Sequence, residues 1–292
     1  MTGAAMVESE ERREQRGEHL FEGRLSDSVQ RLWLRYYPVS RHARFKEYLL
    51  RNIRPTDHVL EIGAGSGTAN QNHFDLRGRV ARYVGVDPDE SVLQNPHLDE
   101  AYSCTADALP FPDESFDLAF HYYVAEHFEE PMACHREIAR VLKPGGLLLF
   151  QTPSRYWYPM LAAQVTPQWF HEFYVRHFGS GRTENEVFPT RYRFNDEHAI
   201  REQLKDCGFN CELEYRSVAP GYLRFSRLSF LLGVLYERTI EKKFLPLRGV
   251  IVGLARKYPR KAVLEETVPG SPGQNAAEAQ RPSSSVNVKE GA

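Results

Sequence analysis

Val59-Leu60-Glu61-Ile62 is a short apolar run broken by one acid, and glycine follows at every second position, as Gly63, Gly65 and Gly67. Such a run predicts a buried parallel strand. Glycine just beyond a strand serves where the chain turns through positive φ, or where a ligand lies against bare backbone. A helix starting after the turn presents unpaired N–H groups to whatever sits there. The segment therefore restricts the chain to folds in which a strand feeds a helix across a tight, ligand-accepting turn.

Two further acids fall in the same order. Asp87 closes Tyr83-Val84-Gly85-Val86, and Asp107 lies in Ala106-Asp107-Ala108-Leu109-Pro110-Phe111. The dinucleotide fingerprint is G-x-G-x-x-G, with pyrophosphate at the helix terminus. Here Gly67 arrives one residue early, and Glu61 stands two residues before Gly63. A carboxylate there suits a ligand with positive charge near the turn better than a pyrophosphate. Taken singly, the glycines are an ordinary turn and Asp87 a solvated loop acid. Together they indicate a nucleoside-containing ligand.

From His58 onward strands and helices alternate, which predicts an α/β fold: a doubly wound, mostly parallel seven-stranded sheet with helices on both faces. The strands are read at 58–63, 82–87, 101–105, 116–122, 146–152, 210–218 and 249–255. A lead helical stretch, Ser28 to Ile53, is broken at Pro38. Further helices are read at Met132–Val141, Asp196–Cys207 and Leu228–Lys242, and Lys143-Pro144-Gly145-Gly146 as a helix stop and turn. Lid insertions are expected after strands five and six, in Pro153–Arg193 and Gly221–Arg248, because ligands of open α/β sheets bind at the carboxyl ends of the strands. Residues 1–20 and 261–292 lack large apolar groups and are expected to be disordered tails. One domain is expected over 21–260, with a nucleotide-binding core at about 55–155 and lid and C-terminal sheet elements at about 156–260.

The 292 residues carry 37 Lys and Arg against 39 Asp and Glu, a formal net charge of −2. No general basic field favours nucleic acid as a partner. Cys104, Cys134, Cys207 and Cys211 form neither a C-x-x-C pair nor a zinc spacing, so reduced thiols and no metal are expected. Met1 to Arg13 has no apolar signal region, and no apolar run approaches the roughly 18 residues of a spanning helix. A cytoplasmic protein is the expectation.

The acidic-x-G-x-G-x-G loop, Asp87 and Asp107 together resemble the class I S-adenosylmethionine-dependent methyltransferases. Leu109-Pro110-Phe111-Pro112-Asp113-Glu114-Ser115-Phe116-Asp117-Leu118 and Arg140-Val141-Leu142-Lys143-Pro144-Gly145-Gly146 are similar to segments of its small-molecule (type 11-like) subgroup. The resemblance is strong over about 55–155 and looser elsewhere. It implies that Glu61, Gly63, Gly65 and Gly67 surround the amino-acid part of S-adenosylmethionine, that Asp87 takes the ribose hydroxyls, and that Asp107 with Ala108 reaches the adenine. Tyr123 is expected beside the cofactor. The implied reaction is methyl transfer to a small molecule, oxygen being the first acceptor atom to consider, with lipid-like, isoprenoid or sugar-containing acceptors open. A nicotinamide-linked oxidoreductase is the alternative, disfavoured by Glu61, the early Gly67 and the lack of a Tyr-x-x-x-Lys pair. A non-catalytic cofactor-binding protein is another.

Displacement at a sulfonium methyl needs positioning more than covalent help, and a base matters only for a protonated nucleophile. Tyr122, Tyr123, Glu126 and His127 stand just after the fourth strand. In the ubiquinone-pathway O-methyltransferases a Glu-x-x-Glu-His arrangement binds a divalent cation near the acceptor; this chain has Tyr123 at the first of those positions, so no metal is expected. His127 is a candidate base or a residue that holds the loop, and Glu126 a candidate base or a helix-terminus acid. Tyr156-Trp157-Tyr158 and Trp169-Phe170-His171-Glu172-Phe173 suit a pocket wall or an ordinary lid, with His171 a second candidate base. Cys134 reads as a packed thiol, and no Asp-Pro-Pro-Tyr or Pro-Cys motif follows the fourth strand, which disfavours methylation of nucleic-acid bases. Leu223 to Lys261 carries ten basic residues against Glu237 and Glu241, around an apolar stretch. That pattern suits weak contact with a membrane surface or a lipid-like substrate.

Overall fold

Strand β1 (His58–Ile62) is buried along four of its five residues, and its two side-chain faces go into two different cores. The computed structural model describes residues 26–67, 74–166 and 190–259. The tails at 1–20 and 261–292, the greater part of the first expected lid (167–189), and with it His171, lie outside the described residues.

Two helices lead the chain, α1 (Asp27–Tyr36) and α2 (Arg41–Asn52), parted at Pro38 as the sequence predicts. The Ser40 hydroxyl caps α2 by accepting the Ala43 N–H. β1, β2 (Arg82–Asp87), β3 (Glu100–Ser103) and β4 (Phe116–Tyr122) follow, then α3 (Pro131–Val141), β5 (Leu142–Pro153) and α4 (Tyr158–Val165). The chain continues through α5 (Glu197–Asp206), β6 (Phe209–Arg216), α6 (Arg227–Lys243) and β7 (Val250–Lys257). One seven-stranded sheet has the order β3-β2-β1-β4-β5-β7-β6. Its ladders are parallel except those that β7 makes with β5 and β6. The doubly wound, mostly parallel architecture read from the sequence is the one found.

Strand parity sorts the core. Leu60, Ile62, Val84, Val86, Leu148 and Phe150 face Ile138 of α3 and Ile200 and Leu204 of α5. Val59, Tyr83, Leu118, Phe120 and Leu149 face Phe45 and Leu49 of α2, with Phe74. The expected turn at Lys143–Gly146 is instead part of β5. Leu142 already pairs with Phe116, and the register shifts before Leu118 pairs with Leu147. Gly145, at φ 79°, absorbs that bulge without breaking the strand. Of the second expected lid, α6 packs inward on α1, with Phe230 stacked on Trp33 at 5.8 Å. No helix among the described residues is long and apolar enough to cross a membrane.

Two histidines lie in the first core. His121 stacks on Phe150 at 5.4 Å with neither ring nitrogen partnered, and His135 Nδ1 contacts the Pro131 carbonyl at 2.7 Å. Burial pushes both below the ordinary 6.5, His135 to about 4. A histidine whose folded pKa is depressed costs stability as pH falls below 6.5, because the unfolded chain takes up the proton first. His121→Phe should therefore gain stability relative to the parent progressively as pH drops below 6.5 in denaturant titrations. A difference that stays constant across the pH series would remove His121 as a source of acid sensitivity.

Candidate active site

The glycine loop after β1 is a left-handed backbone segment: φ is 74° at Gly63, 55° at Gly65 and 65° at Gly67. Two of the three also lack room for a side chain. A Cβ on Gly63 would stand 2.3 Å from Val124 Cγ2, and one on Gly67 2.3 Å from Asn95 Oδ1. The first of these contacts brings the loop after β4 directly against the loop after β1. Asn95, buried at the end of a short 3-10 turn (Glu90–Gln94), donates through Nδ2 to the Ala64 carbonyl at 3.1 Å and the Gly65 carbonyl at 3.0 Å. The sequence offered no sign of this brace, because a lone Asn before Pro reads as a turn.

Asp87 holds the loop from the other side. Its Oδ2 accepts the Gly65 N–H at 3.1 Å and its Oδ1 the Asp89 N–H at 2.9 Å. Burial raises its carboxyl above the usual range. Glu61 is elsewhere. Strand parity places it on the α2 side of the sheet, buried, where its partner among the described residues is the Tyr83 hydroxyl, which donates to it. Burial pushes Glu61 up to about 8, against the effect of that hydrogen bond, so it does not present a free carboxylate to the loop.

Asp107 and Ala108 are exposed in the segment after β3. Arg140 of α3 fixes this segment, donating to the Leu109 carbonyl at 3.0 Å, the Phe111 carbonyl at 2.8 Å and Asp113 at 2.8 Å. Glu137 completes the clamp by accepting from the Leu109 N–H at 3.2 Å. Both ends of the clamp lie in motifs visible in the sequence, but their contact does not.

Beyond β4 the backbone turns through Tyr123 at φ 57°, uncommon for a residue with a Cβ. The Tyr123 N–H donates to the Gln151 carbonyl at 2.8 Å. The Arg41 guanidinium lies 5.1 Å from the centre of the Tyr123 ring. Arg41 is exposed although Tyr123, Tyr122 and Tyr222 crowd it, and Tyr123 above all holds it in its charged form. The Tyr122 and Tyr123 hydroxyls and Gln151 Nε2 are buried against one another and Arg41, without a hydrogen bond of ordinary geometry. Glu126 and His127 form a single 3-10 turn with Ala125. Glu126 is buried and accepts from Thr152 Oγ1 at 3.3 Å, while its carbonyl takes the Arg191 N–H at 2.7 Å. His127 is half-buried. Among the described residues no group of three His, Cys, Asp or Glu is arranged to hold a metal ion.

The structure thus gathers the glycines, Asp87, Tyr123, Glu126 and His127 at the carboxyl ends of β1, β2 and β4, and adds Arg41, Asn95 and Gln151. A cavity of about 470 Å³ lined by Arg44, Tyr48, Arg51, Glu214, Arg216 and Arg248 shares none of these residues. The residues present fit the ligand that the resemblance implies. The loop has bare backbone, and each Asp87 oxygen carries one N–H, leaving about two of a carboxylate's four acceptor positions for a diol. The brace is open to a double-mutant test. Gly67→Ala should cost about 1–2 kcal/mol in left-handed strain, plus the clash with Asn95. Asn95→Ala removes that clash, so the pair should lose less stability in thermal melts than the two single losses added together. Strict additivity would place the strain elsewhere.

Residues 60–150 match a protein family described as "Methyltransferase domain". An uncharacterised methyltransferase of Schizosaccharomyces pombe is 29% identical over 114 residues, which cover 34% of this chain and 41% of that protein. A ubiquinone/menaquinone biosynthesis C-methyltransferase of Ectopseudomonas mendocina is 26% identical over 222 residues, 70% of this chain and 80% of the relative. Among solved structures, a chain of the complex between the Haloferax volcanii Trm112 methyltransferase activator and a methyltransferase superposes with a TM-score of 0.51 at 19% identity, over 80% of this chain and 98% of that one. At that identity the likeness speaks for the fold alone. The family match spans β1 to β5, the strands that build the glycine loop and the turn after β4, and with these relatives it identifies a class I methyltransferase domain, an enzyme domain whose cofactor is S-adenosylmethionine.

Proposed function

We propose that this enzyme methylates an oxygen of a small, lipid-like acceptor held in the recess between Arg41, Tyr122 and Tyr123. The observation that carries the proposal is the cluster of buried polar atoms there, the Tyr122 and Tyr123 hydroxyls and Gln151 Nε2, which interact with one another and Arg41 and make no hydrogen bond of ordinary geometry. Buried polar atoms with poorly formed hydrogen bonds are costly, and among aromatic rings they fit a ligand that brings its own oxygens. Arg41, charged and stacked on Tyr123, suits an acceptor oxygen carrying or developing negative charge.

In this reading the backbone of Gly63, Gly65 and Gly67 lies along the amino-acid part of S-adenosylmethionine. Asp87 takes the ribose hydroxyls, Asp107 and Ala108 border the adenine, and Tyr123 lies between cofactor and acceptor. Glu61 acts at a distance, fixing β1 to β2 through Tyr83. Bound S-adenosylmethionine supplies an electrophilic methyl group for in-line displacement. The chain's own residues orient the acceptor, exclude water and take up the acceptor proton, at His127 first, with Glu126 and His171 the further candidates.

A carbon acceptor is the second reading. It is favoured by the similarity to a C-methyltransferase along 80% of that relative's length. The same recess serves both atoms, because deprotonating a phenol activates its oxygen and the adjacent ring carbon alike.

Asp87→Ala should weaken S-adenosylmethionine binding by about 1–3 kcal/mol in calorimetry, the scale of a buried polar group left without its partner; unchanged affinity takes Asp87 out of the site. His127→Ala should lower turnover by about 100-fold or more at unchanged cofactor affinity, whereas equal loss of both assigns His127 to holding the loop. Methyl-labelled S-adenosylmethionine incubated with the enzyme and a cell extract, then partitioned, should put label into the organic phase. Label confined to aqueous metabolites would sink the lipid-like acceptor.

A further inference from the structure

Helix α6 is apolar on its outer side as well as on the side that packs against α1. Ser229, Phe230, Gly233, Val234, Glu237 and Glu241 are its buried residues. Leu228, Leu231, Leu232 and Leu235 face solvent, with Leu228 70%, Leu232 56% and Leu235 57% exposed. These four fall at i, i+3, i+4 and i+7, one continuous stripe on the outer side. Phe225 before the helix, and Phe244 and Leu245 after it, are exposed as well. Both acids of the helix point inward, Glu237 accepting from the Tyr37 hydroxyl and Glu241 from the Ser217 hydroxyl. Burial pushes both up, Glu237 to about 9 and Glu241 to about 7, which reduces the negative charge on this element.

The charge beside the stripe is positive. Arg227, Arg238, Lys242 and Lys243 are exposed on α6. Arg227 also joins Arg31 and Arg35 of α1 around a pocket of about 180 Å³ that Ser28 and Leu32 complete. Among the described residues none of these three arginines is in an ion pair; Arg35 leans on the Tyr36 ring at 5.9 Å. Three of the four arginines of the 470 Å³ cavity are different. Arg51 pairs with Glu47 and Arg216 with Glu214, and Arg248 is spent on the Glu241 and Tyr215 carbonyls. The pocket beside the leucines thus offers three guanidinium groups that pair with no acid among the described residues.

We infer that the outer face of α6 lies on an anionic lipid bilayer, with Leu228, Leu231, Leu232 and Leu235 among the acyl chains and Arg31, Arg35 and Arg227 around a lipid phosphate. An exposed apolar stripe flanked by cations is the pattern of a helix that lies in the membrane interface. Anionic headgroups and guanidinium groups supply the charge complementarity. The face also adjoins the acceptor recess: Tyr236 of α6 meets Tyr158 at 5.4 Å, Trp157 meets Tyr222 at 5.6 Å, and Tyr222 is one of the three tyrosines around Arg41. A bilayer held there would present a membrane-resident acceptor to the site. That last step rests on the proposed acceptor class, whereas the docking does not.

The test is sedimentation of the full chain with vesicles of phosphatidylcholine, with and without phosphatidylglycerol, and no turnover is needed to read it. Anionic vesicles should bind at least about tenfold more tightly than neutral ones. Leu232→Asp combined with Leu235→Asp should abolish binding to both. Arg31→Glu combined with Arg227→Glu should remove the preference for anionic vesicles. Arg79→Glu, an exposed position on the β1–β2 connection, should bind as the parent does. Cofactor affinity, measured in parallel, should be unchanged in every variant and reports correct folding. Equal binding of both vesicle types, or leucine variants that bind like the parent, would overturn the proposal. So would a parent that self-associates through this face, with leucine variants turning monomeric and no vesicle bound. Methyl label found only in aqueous metabolites would remove the lipid-like acceptor and leave the docking result standing.

Discussion

The glycine loop stands in a backbone conformation that it does not hold unaided, and the site depends on what pins it. Asp87 accepts the Gly65 N–H from the β2 side, and Asn95 donates to the Ala64 and Gly65 carbonyls from the next turn. Val124 closes against Gly63 from the β4 side. Three connections at the carboxyl ends of adjacent strands thus meet at one left-handed segment. A preorganised loop of this kind spends little on ordering when a ligand arrives. The Asp87 carboxylate that shapes the loop accepts one N–H at each oxygen and so keeps further acceptor capacity.

The same physics explains what lies off the site. Side chains alternate along a strand, so Glu61 falls on the face shared by Val59, Tyr83 and Phe45. Burial there favours its neutral form, and Tyr83 supplies its hydrogen bond. His121 obeys the same parity on the opposite face, where it serves as an aromatic plate between Phe150 and Phe128. Ionisable residues at the heart of the sheet are therefore packing elements first. The groups free to act are those beyond the strand ends, where parity no longer dictates burial.

Helix α6 carries that sorting to the periphery. It closes one side of the fold through Phe230 and Val234 against α1 while leaving its leucines outside. A helix apolar on both sides ordinarily lies between two partners, and here the protein supplies one. The short Tyr158–Tyr236 contact joins this helix to the aromatic segment after β5, and through Trp157 and Tyr222 that segment reaches the tyrosines around Arg41.

The sequence by itself determined the sheet, the helices about it, the glycine turn and the positions of Asp87 and Asp107, because apolar periodicity and glycine spacing act locally and leave their mark within a few residues. It also located the turn at Glu126 and His127 beyond the fourth strand. It misjudged Lys143–Gly146, since a glycine at positive φ serves a bulge as readily as a turn and only the pairing of Leu142 with Phe116 decides between them. Arg41, Asn95, Gln151 and the Arg140 clamp were invisible to it, because each acts on residues far away in the chain. Only the tertiary structure decided that Glu61 is buried, that Arg41 lies over Tyr123, and that the acids of α6 turn inward while its leucines do not. Contacts between strand ends and between helix faces are set by how elements pack, and no local pattern encodes them.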